Sequence, residues 1–218
     1  MHGKRLIIPM LMAAAAFIFH GCVSGPGAGG SLVVENFEDP SIHMRLYNGD
    51  KSTVTAEFTS EQVYEGNRAV KVVSNTTDWT GIEIVVPEGR GNWSALKTLE
   101  MWTFGNDTGN EYKVVIEDSQ KEQFTFSVYE EWKGWKKILI PLDAFSSRTD
   151  WQDDSAVVNE TIDYPVKFLH FFTSNKGDFV IYFDLITVSA ESAGTEERVK
   201  RVIPAYALKD LAAPHGKL

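Results

Sequence analysis

Four consecutive residues, Arg148-Thr149-Asp150-Trp151, place a fork-shaped cation, a hydroxyl, a carboxylate and a flat ring side by side. A guanidinium donates hydrogen bonds in a fixed plane, a carboxylate accepts them, and an indole offers a rigid apolar face. That set suits a ligand with hydroxyls on its edges and C–H bonds on its faces, as a pyranose ring has. It suits equally a surface Arg–Asp pair with Trp151 capping the fold, and both readings stand at this point.

Catalytic spacings do not accompany it. Beyond residue 21 the histidines are His43, His170 and His215, and none sits in a nucleophile motif. There is no HExxH pair and no glycine-rich phosphate loop after a strand. Carboxylates pair at Glu130-Glu131, Asp153-Asp154 and Glu196-Glu197, but adjacent residues of a strand point to opposite faces. A glycosidase pair needs two carboxyls about 5–10 Å apart in one cleft, and spacing alone does not supply that. The expectation is a chain without enzymatic activity.

The elements that must position these residues have a period of two. Phe124, Phe126 and Val128 alternate with polar neighbours, and Tyr112, Val114 and Ile116 alternate with Lys113, Val115 and Glu117. Phe179, Ile181, Phe183 and Leu185 form one face of a further run. Such alternation predicts strands, over 32–38, 43–47, 53–58, 69–74, 80–86, 97–104, 111–118, 123–129, 135–140, 166–173 and 178–189. Turn residues separate them, as in Asn48-Gly49-Asp50, Pro87-Glu88-Gly89 and Asn106-Asp107-Thr108-Gly109-Asn110. With no long helical pattern, the fold class is all-β, an antiparallel β-sandwich or jelly roll. The longest irregular stretch, 142–165, holds the Arg-Thr-Asp-Trp sequence, and a loop that long in a compact domain is usually functional. Just before it, EEWKGWKKILIPLDAF sets Trp132 and Trp135 around Gly134. There Pro141 ends the ladder for want of an N–H, Trp135 is expected to pack at the rim of the sandwich, and Trp132 suits either the core or a platform.

The chain opens MHGKRLIIPMLMAAAAFIFHGC. Lys4 and Arg5 precede an apolar run from Leu6 to Phe19, which reads as a secretory signal over residues 1–21. Cys22 is the single cysteine. Following Gly21, it resembles the lipidated cysteine of a bacterial lipobox. Residues 22–31 read as a flexible Gly/Ser tether, 32–190 as one folded domain, and 191–218 as a C-terminal extension interrupted by Pro204. The protein is therefore expected to be exported and lipid-anchored to the cell envelope, in the periplasm or at the surface, and to meet the membrane only through its anchor. Twenty-one basic and 30 acidic residues give a net charge of −9, and loss of Lys4 and Arg5 takes it to −11. This argues against nucleic acid as a partner. The Asn-x-Ser/Thr sites at Asn75, Asn92, Asn106 and Asn159 read as turn chemistry.

Taken as one unit, WKGWKKILIPLDAFSSRTDWQDD resembles the carbohydrate-binding modules of family 11. VKFLHFFTSNKGDFVIYFDLITV resembles the last two strands of that family, and VVENFED and VYEGNRAVKVVS its opening strands. The resemblance spans about residues 32–190. It implies a non-catalytic protein that holds a polysaccharide, β-glucan-like, on the concave face of the sandwich, with a glycoside hydrolase as a possible partner. The ligand-binding residues it implies are Arg148, Asp150, Trp151 in place of a tyrosine, His170 and Asp118. A second aromatic of the family falls near Thr173, so Trp102, Trp79 or Tyr47 would have to compensate. It also implies a structural calcium held by Glu38 and Asp184. The final YFD-L-I strand is similar as well to periplasmic flagellar sheath proteins, whose role is structural or in assembly without glycan affinity. A third reading is a small glycan-active enzyme working through Asp150 or Asp118.

Overall fold

The computed structural model describes residues 30–42, 44–174 and 176–193. The predicted signal, Cys22 and most of the tether lie outside the described residues, as do His43 and everything beyond Ala193. In chain order the strands are β1 (Ser31–Glu35), β2 (Met44–Asn48), β3 (Thr53–Thr59), β4 (Ala69–Thr76), β5 (Thr80–Val85) and β6 (Thr98–Asn106). They continue as β7 (Glu111–Glu117), β8 (Gln123–Tyr129), β9 (Lys133–Pro141), β10 (Ser146–Ser147), β11 (Phe168–Thr173) and β12 (Gly177–Ser189). The boundaries fall within a few residues of the predicted ones. A short 3₁₀ turn (Leu142–Ala144) and β10 were not expected inside the long loop.

The strands form two antiparallel sheets. The back sheet runs β3-β4-β12-β6-β9, with β1 also paired to β12, and the front sheet runs β10-β8-β7-β11-β5-β2. Alternation decides which side chains meet between them. Val70, Val72, Leu99, Met101, Ile138 and Ile140 come from the back sheet, and Ile82, Ile84, Val114, Ile116, Phe124 and Leu169 from the front. Phe183 of the back sheet packs against Phe171 of the front with ring centroids 4.3 Å apart.

The alternation read along β12 breaks at one place. Pairing with β6 runs Phe183↔Thr103 and Asp184↔Trp102, then resumes at Ile186↔Met101. Leu185 is the extra residue of this β-bulge, at φ 39, so the inward face passes from Phe183 to Ile186 and Val188. The expected Phe179-Ile181-Phe183-Leu185 face is thus corrected at its last member: Ile186 is fully buried. A single inserted residue inverts every later side chain, and the sequence offers no glycine to mark it.

The first predicted strand is also shorter than expected. After Glu35 the chain turns, because the Glu35 carboxylate accepts the N–H groups of Asn36 and Phe37, both at 2.8 Å. Phe37 sits at φ 57 and is fully buried. In the Trp132–Trp135 stretch, Gly134 takes φ 84. This turns Trp132 over Gly105, where its Nε1 donates to the Thr103 carbonyl at 3.4 Å, and leaves Trp135 opposite Phe104 on the outer face of the back sheet. Trp135 is a member of an outer-face aromatic group, edge-on to Phe104 and Tyr64.

The bulge makes a direct prediction. Ile186→Ala should lower unfolding stability by about 2–5 kcal/mol, as for a fully buried large aliphatic, and Leu185→Ala by clearly less. Urea unfolding of the two variants compares them, and equal losses would contradict the inversion of facing.

Candidate binding cleft

The front sheet packs one face on the core and leaves the other open. On the open face lie His170 and Phe172 of β11, Glu83 of β5, Glu117 of β7, Gln123 of β8 and Arg45 of β2. The register sets them side by side: His170 pairs with Glu83, Glu83 with Arg45, and Glu117 with Gln123. Together with the ends of the long loop they enclose a cleft of about 770 Å³. Gly81, paired with Phe172, makes room for it: a Cβ there would stand 2.1 Å from the Phe172 ring.

Polar side chains cross the floor in a row made of two hydrogen-bonded groups. At one end Glu83 accepts from Arg45 Nη1 at 2.9 Å and from the Tyr47 hydroxyl at 3.0 Å. At the other, Arg148 donates through Nε to Asp150 Oδ1 at 2.7 Å and through Nη1 to Gln123 Oε1 at 2.8 Å. Gln123 Nε2 passes the chain on to Glu117 Oε2 at 2.9 Å. The hydrogen bonds from Arg148, helped by its charge and that of Lys113, hold the Asp150 carboxyl below its ordinary range. Aromatic rings bracket this row. Trp151, 50% exposed, stands at the loop end, and Trp79, 38% exposed, at the β5 end. Both line the cleft, as do Phe168 and Phe172, and the Arg148 guanidinium lies over Phe172 and Trp151 at 5.2 and 5.7 Å. Such an arrangement offers apolar faces to stack on and donors and acceptors aimed between them.

A family model described as carbohydrate binding domain (family 11) matches residues 23–190. The chain belongs to this family. Its fold is that of the family 11 module from Clostridium thermocellum solved with a β-1,3-1,4-mixed-linked tetrasaccharide, at a TM-score of 0.66 and 21% identity, covering 77% of this chain and 100% of that one. The family 11 module of the Clostridium thermocellum cellulosomal cellulase Lic26A-Cel5E gives a TM-score of 0.64 at 21% identity, covering 78% and 99%. An exo-β-agarase structure gives 0.53 at 15% identity, with 76% of this chain matched to 26% of that one. No curated protein matches the chain at the sequence level.

Within this family 11 domain the structure gathers Arg148, Asp150, Trp151 and His170 in one cleft, and adds Trp79, Tyr47 and Thr173 to its wall. Two expected residues lie elsewhere. Trp102 belongs to β6 in the back sheet, where it stacks on Tyr64 at 3.6 Å; a strand of the other sheet cannot present it to this cleft. Asp118 is fully buried behind the β7–β8 turn. Its carboxylate accepts the N–H groups of Gln120, Glu122 and Asp163 at 2.8, 3.0 and 2.9 Å. Burial pushes that carboxyl above its ordinary value against those bonds. Asp118 therefore ties the far end of the long loop to the sheet and has no face toward the cleft.

Glu122 and Gln152, not expected from sequence, complete that anchorage. Glu122 is fully buried and accepts from Ser147 Oγ at 2.6 Å and from the N–H groups of Asn159 and Glu160 at 2.8 and 3.1 Å. Gln152 uses its amide on both sides, accepting from Gln123 N–H at 2.8 Å and donating to the Arg148 carbonyl at 2.9 Å. These bonds fix the backbone on either side of Trp151. Glu83, Glu117 and Gln123 are further cleft residues that the sequence reading passed over. Their signal was a polar side chain at an alternate position of an otherwise apolar strand, as in GIEIV and VVIE.

Glu38 and Asp184 both serve the loop before β4. Glu38 Oε1 accepts the N–H groups of Asn67 and Arg68 at 2.7 and 3.0 Å. Asp184 Oδ2 accepts those of Tyr64 and Glu65 at 2.8 and 3.0 Å. Burial and then the charge of Glu38 push the Asp184 carboxyl up, against three backbone N–H bonds that pull it down. Among the described residues no group of three or more His, Cys, Asp or Glu side chains gathers at one point. The charge of Glu38 acting on Asp184 is what bears on a cation here; a hard cation would have to draw the rest of its six to eight oxygens from carbonyls and water.

The anchorage is testable without any ligand. Glu122→Ala leaves two backbone donors and a serine hydroxyl without their acceptor, and should cost about 1–3 kcal/mol of stability. Amide exchange across residues 147–160 should rise well above that of β7 and β11. Unchanged exchange in that segment would show that Glu122 does not hold the loop.

Proposed function

We propose that this family 11 domain binds a polysaccharide in the front-sheet cleft and performs no chemistry on it. The observation that carries the reading is the bracketing of one polar row by two exposed tryptophans, Trp79 and Trp151. Solvent-exposed indoles in a concave polar groove suit the apolar face of a sugar, with the row beneath them to take its hydroxyls. The wall residues span β2 to β8, four inter-strand steps or about 19 Å, which suits a chain of several sugar units running across the strands. A solved relative was captured with a β-1,3-1,4-mixed-linked tetrasaccharide, which makes soluble β-glucan the first ligand to test.

The same geometry supports binding without turnover. Asp150 is held by Arg148, Glu83 by Arg45 and Tyr47, and Glu117 by Gln123. These three carboxylates are engaged as acceptors, and Asp118 is buried away from the groove. A structural or assembly role gains no support from the edge of the back sheet, where the exposed lysines 133, 136 and 137 of β9 disfavour strand addition.

The setting we infer is an exported lipoprotein, anchored through Cys22 to the cell envelope and able to work beside a glycoside hydrolase. A structural calcium ion is part of the same proposal, with Glu38 and Asp184 as its carboxylate ligands. It would neutralise their repulsion and hold the Tyr64–Arg68 loop that seats Tyr64 on Trp102.

Two expected results follow. In calorimetric titration with a mixed-linkage β-glucan oligosaccharide, Trp151→Ala and Trp79→Ala should each weaken binding by tenfold or more, as at a buried aromatic hot spot. Wild-type affinity in both variants, with the fold intact, would exclude the cleft. In thermal unfolding, calcium at about 100 times its Kd should add about 2.7 kcal/mol of stability. Asp184→Asn should abolish that gain, and a wild-type protein insensitive to both calcium and chelator would exclude the site.

A further inference from the structure

The polar row on the cleft floor is interrupted once, at His170. Its side chain is 4% exposed, and neither ring nitrogen has a hydrogen-bond partner. Each nevertheless faces a carboxylate: Nδ1 lies 3.7 Å from Glu83 Oε2, and Nε2 lies 3.6 Å from Glu117 Oε2. Phe172 stacks on the ring at 5.6 Å and 15°, and Phe168 flanks it at 6.1 Å. The imidazole is thus held in place with its two nitrogens aimed at two acceptors.

Chemistry limits what such a row can do. A carboxylate only accepts, and a neutral imidazole has one N–H and one lone pair. With neutral His170, one nitrogen must turn its lone pair toward a carboxylate, with no proton between them. With protonated His170, both nitrogens donate. The gaps of 3.6 and 3.7 Å are too long for direct hydrogen bonds. Both nitrogens are closed to solvent, so a ligand meets the row through its carboxylates; covering them strips away their water, and an imidazolium between them then compensates their charge. With neutral His170 the same covering leaves the desolvated carboxylates with one compensating charge fewer, a costly state.

We propose that the Glu83–His170–Glu117 row binds a proton together with a hydroxyl-rich ligand, so that glycan affinity rises as the pH falls. The proposal rests on the glycan-binding reading above and deepens it. The groups that face the row are few. Glu83 on β5 is joined to Arg45 and Tyr47 on β2. Glu117 on β7 is joined to Gln123 on β8, which leads to Arg148 and Asp150 of the long loop. Lys113 on β7 lies 3.7 Å from Asp150. Among these, imidazole is the side chain whose ordinary charge change falls roughly between pH 5 and 8. Carboxylates, tyrosine, lysine and arginine ordinarily titrate outside that range, so proton coupling there points to His170.

The experiment is titration with a mixed-linkage β-glucan tetrasaccharide at pH 5.5 and pH 8, in pairs of buffers with different ionisation enthalpies. Binding should be about tenfold tighter at pH 5.5, the worth of one compensating charge beside a desolvated carboxylate. At pH 8 the heat should report proton uptake. His170→Gln should bind with equal affinity at both pH values. Glu117→Gln, which removes one facing charge, serves as the second variant and should reduce the pH dependence. Thermal unfolding verifies that both are folded. Equal wild-type affinities, or a pH dependence that survives in His170→Gln, would overturn the coupling and leave glycan binding standing. No binding at any pH would overturn the glycan reading and the coupling with it.

Discussion

Strand β12 carries the constraint on which the rest of the structure depends. It runs from Gly177 to Ser189, pairs with β4 and β1 along one edge and with β6 along the other, and must keep an apolar face toward the front sheet along its whole length. An unbroken alternation would bury Leu185 and turn Ile186 and Val188 outward. The bulge at Leu185 lets the strand bury Phe183, Ile186 and Val188 together, while Asp184 just before it faces outward and receives the Tyr64 and Glu65 N–H groups.

The cleft depends on the same division between covered and open faces. The inner side of the front sheet is satisfied by the back sheet, which leaves its outer side free to be polar. Its row of charges avoids the penalty of burial because nearly every member has a partner. The long loop is then the movable part of the site, and three side chains remove its freedom. Asp118 and Glu122 collect backbone N–H groups that a loop would otherwise have to leave to solvent, and Gln152 bridges the strand and the loop backbone. Trp151 can therefore stand half exposed on a segment whose flanks are fixed, which lowers the ordering cost of a ligand.

The aromatic residues sort by sheet. Trp79 and Trp151 belong to the open side of the front sheet. Trp102, Trp135 and Tyr64 form a separate group on the outer face of the back sheet, under the loop tied by Glu38 and Asp184. Composition counts the two groups as one resource, and only the layer to which each strand belongs separates them.

The sequence by itself determined the all-β class, most strand positions and the segment that carries Arg148, Asp150 and Trp151. Alternation is a local property, and turn residues act within a few positions of themselves, so both are legible from neighbours alone. His170 was placed by the resemblance to family 11, which implies a histidine on the concave sheet. The tertiary structure alone decided that Trp102 faces away, that Asp118 is an internal tie, that Glu83 and Glu117 flank His170, and that the facing of β12 inverts at Leu185. Each of these depends on which strand pairs with which, and in what register. That choice is made by contacts between residues far apart in the chain, and no local pattern records it.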